Sequence, residues 1–241
     1  MFKTTKDNLK IFLFLIKNKA NHYLLYIFVI TKFGYLFFKL KNKNFLKYSI
    51  KKIYLKNKFS ENWYLNNVYY WSYFFTKIYD TQKIKNVLEI GSYEGASSVF
   101  FLNLSQDCNI YCVDTWSEKF TSGVSRKNIN YKKIERTFDL NLKSYRTRLR
   151  KCKNNSDFFF KNIKKNLLFD IIYIDGSHDY KDVLNDAYNS FNYLRPGGVM
   201  IFDDLLKSEP LKAILNFVKN KENHINILMV YHQIILQKKI Y

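Results

Sequence analysis

The chain has 241 residues, 47% of them hydrophobic, which suits one α/β domain with a sizeable core and an appendage. It carries 40 basic and 20 acidic residues, a net charge of +20, and residues 1–60 alone hold 14 Lys against a single Asp. A positive charge concentrated in one quarter of a chain fits an anionic partner, either a nucleic acid or a membrane surface. Only six of the basic residues are Arg, so the forked, bidentate contacts that nucleic-acid readers favour are scarce. The Lys, Asn, Ile, Phe and Tyr bias is also what an AT-rich coding sequence leaves behind. Cys108, Cys112 and Cys152 form no CxxC pair, which points to reduced structural thiols in a cytosolic protein.

The chain opens with an apolar run at Ile11–Ile16 and a second at Tyr23–Phe38, broken by Thr31, Lys32 and Gly34. Both fall short of the ~20 apolar residues of a spanning helix, and no small-residue cleavage site follows the first. They read as aromatic-rich, Lys-flanked helices. Residues 1–60 are thus expected to be an extension, either lying at the inner face of a membrane or serving as a cap or dimer contact for the remainder, residues 61–241. Trp63–Tyr79 reads as a further helix. Strand and helix signals then alternate: strand Asn86–Gly91, helix Gly95–Leu104, strand Ile110–Asp114, a partly helical stretch at 117–145, a weak strand Leu149–Lys153, strand Phe169–Asp175, helix Tyr180–Leu194, strand Gly198–Asp203, helix Pro210–Asn220, and closing strands Ile225–Val230 and Gln233–Gln237. This alternation predicts right-handed βαβ crossovers and a mostly parallel sheet, with ligands beyond the carboxyl ends of its strands.

Three groups of residues lie at those ends. In Glu89-Ile90-Gly91-Ser92-Tyr93-Glu94-Gly95 a strand ends in glycine, turns, and enters a helix at a second glycine. The spacing is not the GxGxxG of a pyrophosphate-binding turn. It leaves room for a methionine moiety, with an acid nearby to meet an ammonium. Asp114, 23 residues after Gly91, ends the next strand. A carboxylate there can accept the ribose hydroxyls of an adenosine cofactor, and Trp116 either packs on the adenine or is a rim aromatic. The third group is Tyr173-Ile174-Asp175-Gly176-Ser177-His178-Asp179-Tyr180, then Leu194-Arg195-Pro196-Gly197-Gly198, then Ile201-Phe202-Asp203-Asp204. Neighbouring strands lie ~4.8 Å apart, so Asp175, Asp203 and Asp204 can converge, and converging carboxylates call for a hard divalent cation such as Mg²⁺. Alternatively, Asp203 or Asp204 caps the turn that follows.

The run VLEIGSYEG…VD…FDIIYIDGSHDYKDVLNDA…LRPGGVMIFDD resembles the class I S-adenosylmethionine-dependent methyltransferases related to macrocin O-methyltransferase and the cephalosporin hydroxylase group, over residues 84–240. The resemblance implies a Rossmann-like, seven-stranded α/β sheet with helices on both faces and an antiparallel last strand. It implies S-adenosylmethionine beside Glu89, Gly91 and Asp114, with Ser92, Gly95, Thr115, Trp116 and Ser156 as further cofactor contacts. It also implies Mg²⁺ on Asp175, Asp203 and Asp204. The expected reaction is methyl transfer to a hydroxyl of a small molecule or sugar, with His178 or Asp179 as base and Asp175 in the catalytic centre. A surface-glycan precursor is one acceptor that fits the basic N-terminus. His22, His224 and His232 have no such setting. The competing readings are a non-catalytic S-adenosylmethionine-binding scaffold, a hydroxylase-like relative, an NAD oxidoreductase lacking its GxGxxG, and a nucleic-acid methyltransferase lacking its [DNS]PP[YFW] loop.

Overall fold

The computed structural model describes residues 2–17, 22–82, 84–117 and 129–241. Seven strands form one sheet in the order β3-β2-β1-β4-β5-β7-β6. They are β1 (Asn86–Ile90), β2 (Asn109–Asp114), β3 (Leu149–Lys153), β4 (Phe169–Ile174), β5 (Leu194–Phe202), β6 (Ile225–Val230) and β7 (Ile234–Lys238). β1 through β5 pair in parallel, and β7 runs antiparallel to both β5 and β6. β4 is buried at every position, as expected of a central parallel strand covered on both faces.

Two apolar layers cover the sheet. One joins Leu88, Ile172, Met200 and Phe202 to α7 (Tyr180–Tyr193) and α8 (Ser208–Lys221). The other joins Val87, Ile171 and Ile201 to α3 (Tyr64–Lys77), α4 (Ala96–Leu102) and α5 (Tyr131–Asn141). In α7 the buried residues Val183, Asp186, Ala187, Ser190 and Phe191 recur at helical spacing, which is why this segment turns one face to the sheet. Capping sets other helix starts: Asn130 accepts the Lys133 amide before α5, and Asn155 accepts the Phe158 amide before α6 (Ser156–Asn162).

The sequence gives no sign of α6, a short helix rich in Phe, Asn and Lys. β5 also starts earlier than the Arg-Pro-Gly-Gly turn suggests. Leu194 pairs with Phe169 and Val199 with Ile171, so residues 195–198 loop out opposite one residue of β4. Most of the 117–145 stretch is α5 and its flanks; residues 118–128 lie outside the described residues.

The N-terminal segment forms α1 (Phe2–Lys17) and α2 (His22–Tyr54), the latter kinked at Asn42. α2 lies along the edge strand β6 and against α3. Thr31 Oγ1 accepts the Val230 amide at 3.2 Å, and Lys32 donates to the Tyr70 hydroxyl at 2.7 Å. A Cβ at Gly34 would lie 2.1 Å from the Tyr73 hydroxyl, so glycine permits the close crossing of α2 and α3.

Candidate active site

At the carboxyl ends of β1–β5 a cleft of about 1220 Å³ opens, lined among others by Gly91, Ser92, Asp114, Thr115, Trp116, Ser156, Asp175, His178, Asp203 and Asp204. The sheet thus brings to one mouth the residues that a strand-end ligand site requires. Glu89 and Gly95 stand just behind that wall.

The β1 turn is set by steric need. Gly91 has φ +87° and donates to Val113 O at 2.8 Å. A Cβ there would sit 2.1 Å from the carbonyl oxygen of Asp175, a backbone atom that cannot move aside. Gly95, also at positive φ, begins α4. Among the described residues, Tyr93, Trp116 and Asp204 are the non-glycine residues with positive φ. All three border the cleft, where backbone strain tends to collect at working sites.

Asp114 holds the turn in shape. Its Oδ2 accepts the amides of Ser92 and Tyr93, both at 2.9 Å, and its Oδ1 accepts the Trp116 amide at 2.8 Å. A carboxylate has about four acceptor positions, so one is left for a ribose hydroxyl. Trp116 is 4% exposed. Its Nε1–H donates to Tyr93 O at 2.9 Å, its ring packs on Phe138, and the Lys151 ammonium lies 4.7 Å from its centroid. It therefore serves as cleft wall more than as a free stacking plate.

Glu89 is fully buried, and burial pushes its carboxyl above the ordinary range, opposed by the hydroxyls of Ser97, Ser98 and Ser92. At hydrogen-bonding geometry Oε2 takes the Ser98 hydroxyl and the Cys112 thiol, while Oε1 and the Ser92 hydroxyl have no partner. Orphaned buried polar atoms beside the glycine turn fit a cofactor carrying an ammonium and hydroxyls. Ser156 stands at the start of α6, with Asn154 and Asn155 on the same cleft wall.

At the ends of β4 and β5 the acids divide. Single ligand atoms of Asp175, His178 and Asp204 all lie within 4.8 Å of one another. His178 Nε2 is 2.5 Å from Asp204 Oδ2. The Lys207 ammonium is 2.9 Å from the same oxygen and 3.0 Å from the same nitrogen. Asp203 lines the same cleft but is tied from behind. Its Oδ1 accepts the Asp204 amide at 2.7 Å, and its Oδ2 accepts Asn67 Nδ2 at 3.0 Å, Gln233 Nε2 at 2.8 Å and the Tyr173 hydroxyl. Three of those bonds crowd Oδ2 and tie Asp203 to the elements behind it. The trio at the open point is therefore Asp175, His178 and Asp204, with Asp203 behind it. Asp179 stands at the N-cap position of α7 without a side-chain capping bond.

The electrostatics follow this division. Asp175 lies well above the ordinary carboxylate value through burial, reinforced by Asp203 and Asp204. Asp203 is raised by burial and by Asp204. Burial also acts to raise Asp204, but His178 and Lys207 outweigh it and hold the group below its usual value. Acids driven apart in this way beside an imidazole are what proton-handling or cation-holding sites show.

Several residues of this network escape sequence reasoning. Asn67 bridges Asp203 to His232, whose Nε2 meets Asn67 Oδ1. Because the Asn67 amide nitrogen donates to Asp203, the His232 ring must donate through Nε2. Gln233 Oε1 accepts the Trp71 indole N–H at 2.8 Å. Their only sequence signal is polarity inside aromatic segments.

The strand order, the antiparallel seventh strand and the glycine turn facing a strand-end acid make a Rossmann-like sheet with its cleft at the strand ends. Residues 88–205, just under half of the chain, match the family model described as a methyltransferase domain. The uncharacterized protein R132 of Acanthamoeba polyphaga mimivirus is 26% identical over 117 residues, covering 48% of this chain. The chain spans 50% of the length of that curated relative. A candidate O-methyltransferase from Klebsiella pneumoniae superposes with a TM-score of 0.56 at 14% identity, covering 81% of this chain and 90% of its own. The O-methyltransferase from Bacillus cereus, solved with S-adenosylhomocysteine, gives 0.50 at 18% identity, over 64% and 74%. TomG from Streptomyces achromogenes, solved with S-adenosylmethionine, gives 0.51 at 12% identity, over 66% and 74%. At such identities the likeness is one of fold.

Proposed function

We propose that this chain is an O-methyltransferase that moves the methyl group of S-adenosylmethionine to a hydroxyl of a small molecule or sugar, with a divalent cation at Asp175, His178 and Asp204. The observation that carries this reading is the meeting of those three side chains at the open end of the cleft that begins at the glycine turn. S-adenosylmethionine supplies an electrophilic methyl on sulfur. Glu89 and Ser92 offer unpaired acceptors on the methionine side, Asp114 offers one to the ribose, and Thr115 and Ser156 flank the adenosine wall.

Two carboxylates and one imidazole suit Mg²⁺ or Mn²⁺, and a cation of that kind would lower the pKa of an acceptor hydroxyl and orient it. Asp203, anchored by Asn67, Gln233 and Tyr173, fixes the backbone of Asp204 through its amide. His178, if not engaged by the cation, can take the acceptor proton. Asp179 is the alternative base. We further propose a cytoplasmic protein in which residues 1–60 form the extension to the methyltransferase domain 61–241.

A second reading rests on Lys207, whose ammonium lies at the same point between Asp204 and His178. In that reading Lys207 supplies the positive charge and the Asp204–His178 pair takes the proton, with no metal. Formation of S-adenosylhomocysteine from S-adenosylmethionine and a panel of polyhydroxylated acceptors separates the two. The first reading expects excess chelator to stop turnover and Mg²⁺ to restore it. Undiminished turnover in chelator would transfer the role to Lys207.

A further inference from the structure

We propose that α1 and α2 form an interfacial anchor that lays this protein on an anionic lipid bilayer, helices in the plane of the membrane and the cleft mouth beside it. The argument starts from the two faces of α2. Leu24, Phe28, Thr31 and Phe38, spaced by four, three and seven residues, are buried against the domain. Tyr23, Tyr26, Ile30, Phe33, Phe37 and Leu40 alternate three and four apart and are all exposed, Phe33 by 71% and Leu40 by 70%. Spacings of three and four keep residues on one face of a helix, so these six form a continuous stripe. Leu9, Leu13 and Ile16 repeat the pattern on α1. A core helix with such a sequence would be hidden, yet only 22% of the most apolar window within His22–Asn44 is buried. Monomeric soluble proteins rarely expose contiguous apolar surface of this extent.

The surrounding charge chooses the occupant. Between Tyr23 and Phe38 the sole charged side chain is Lys32, and it is turned inward onto Tyr70. At Asn42 the helix kinks, and beyond it Lys43, Lys47, Lys51 and Lys52 are exposed. Lys10 and Lys17 are exposed on α1. An apolar, aromatic stripe bordered by exposed lysines is the composition that sinks to the headgroup boundary and draws anionic lipid. A second copy of the chain would have to bring like charge against like. A nucleic acid would leave the apolar stripe in water. α2 is long and apolar enough by composition to cross a bilayer. However, Thr31 ties the same turns to β6, Leu24 and Phe28 tie them to the sheet core, and Phe38 packs on Tyr73 of α3, which holds the helix beside the domain and favours the interface over a span. Ile11, buried on the inner side of α1, and the exposed Lys10 beside it line the active cleft. Docked in this way, the cleft opens at the lipid surface.

The test is flotation of the full-length protein with phosphatidylcholine vesicles and with phosphatidylcholine–phosphatidylglycerol vesicles. The proposal expects flotation with the anionic vesicles at least about tenfold above the neutral ones, and release by high salt or alkaline carbonate. The triple variant F33S/F37S/L40S changes only exposed positions. It should keep the wild-type circular dichroism spectrum and lose flotation by at least about tenfold. Equal flotation on both vesicles would overturn the proposal. So would carbonate-resistant retention, which would mean that α2 spans. A dimer by light scattering that the triple variant dissolves, with no vesicle binding, would assign the stripe to a second copy and overturn it as well.

Discussion

The two halves of the cleft are built differently. At the ends of β1 and β2 the geometry is made by the backbone over short spans: Gly91 turns, and Asp114, 21 to 23 residues on, ties down the amides of Ser92 and Tyr93. At the ends of β4 and β5 it is made by side chains from across the chain: Asp203 is held by Asn67, 136 residues away, and by Gln233, 30 away. The second half ties one acid, Asp203, from behind and brings two acids and an imidazole together at the cleft mouth. A binding half can be rigid backbone, whereas a reacting half needs polar groups fixed from behind and unsatisfied in front.

The sharpest way to break that comparison is to disable one half and measure both. Asp175→Asn and Asp204→Asn should each lower kcat by about a thousandfold or more, roughly 4 kcal/mol of barrier. The dissociation constant for S-adenosylhomocysteine should stay within about twofold. If cofactor binding fell in parallel with kcat, the two halves would not be separable.

The converse variant is Gly91→Ala. A methyl group 2.1 Å from the Asp175 carbonyl at φ +87° should destabilise the fold by about 3 kcal/mol. That lowers Tm by about 6–12 °C for a chain of this size, and cofactor affinity should fall with it. An unchanged Tm would mean that the turn is not held against β4.

The third prediction concerns the closed network. Burial, with Lys32 adding and Asp204 opposing, depresses the His232 pKa to about 3. The native ring therefore stays neutral while the unfolded ring protonates near 6.5, so stability is lost as pH falls from about 6.5 toward 3. At pH 5 this group costs about 2 kcal/mol relative to pH 8. His232→Gln keeps an N–H donor for Asn67 and should lose that much less stability between pH 8 and pH 5 in chemical denaturation. Equal losses in variant and wild type would remove His232 from the acid sensitivity.

The same contrast explains what the sequence made legible. The mostly parallel sheet, the glycine turn, Asp114 and the meeting of Asp175 with Asp204 follow from the alternation of strands and helices and from acids at strand ends, because backbone geometry carries them. Asn67, Gln233, His232 and Lys207 are not legible as one site, since α3, the turn between β6 and β7, and the loop after β5 meet only in the folded chain. Asp203 and Asp204 look equivalent as a pair of acids; the positive φ of Asp204 and the network behind Asp203 separate them. α6 has no clear helical period, being seven residues of mixed Ser, Asp, Phe, Lys and Asn. At the N-terminus both apolar runs were visible, but which of their faces is buried depends on β6, 200 residues downstream.

The central claim is that the cleft at the strand ends receives an adenosine-bearing methyl donor. Thermal unfolding of the purified protein with S-adenosylhomocysteine, NAD or a short DNA duplex tests it most directly. A ligand at 100 times its dissociation constant adds about 2.7 kcal/mol of apparent stability, which should raise Tm by about 5–11 °C for S-adenosylhomocysteine alone. A shift with NAD or the duplex, and none with S-adenosylhomocysteine, would contradict the account.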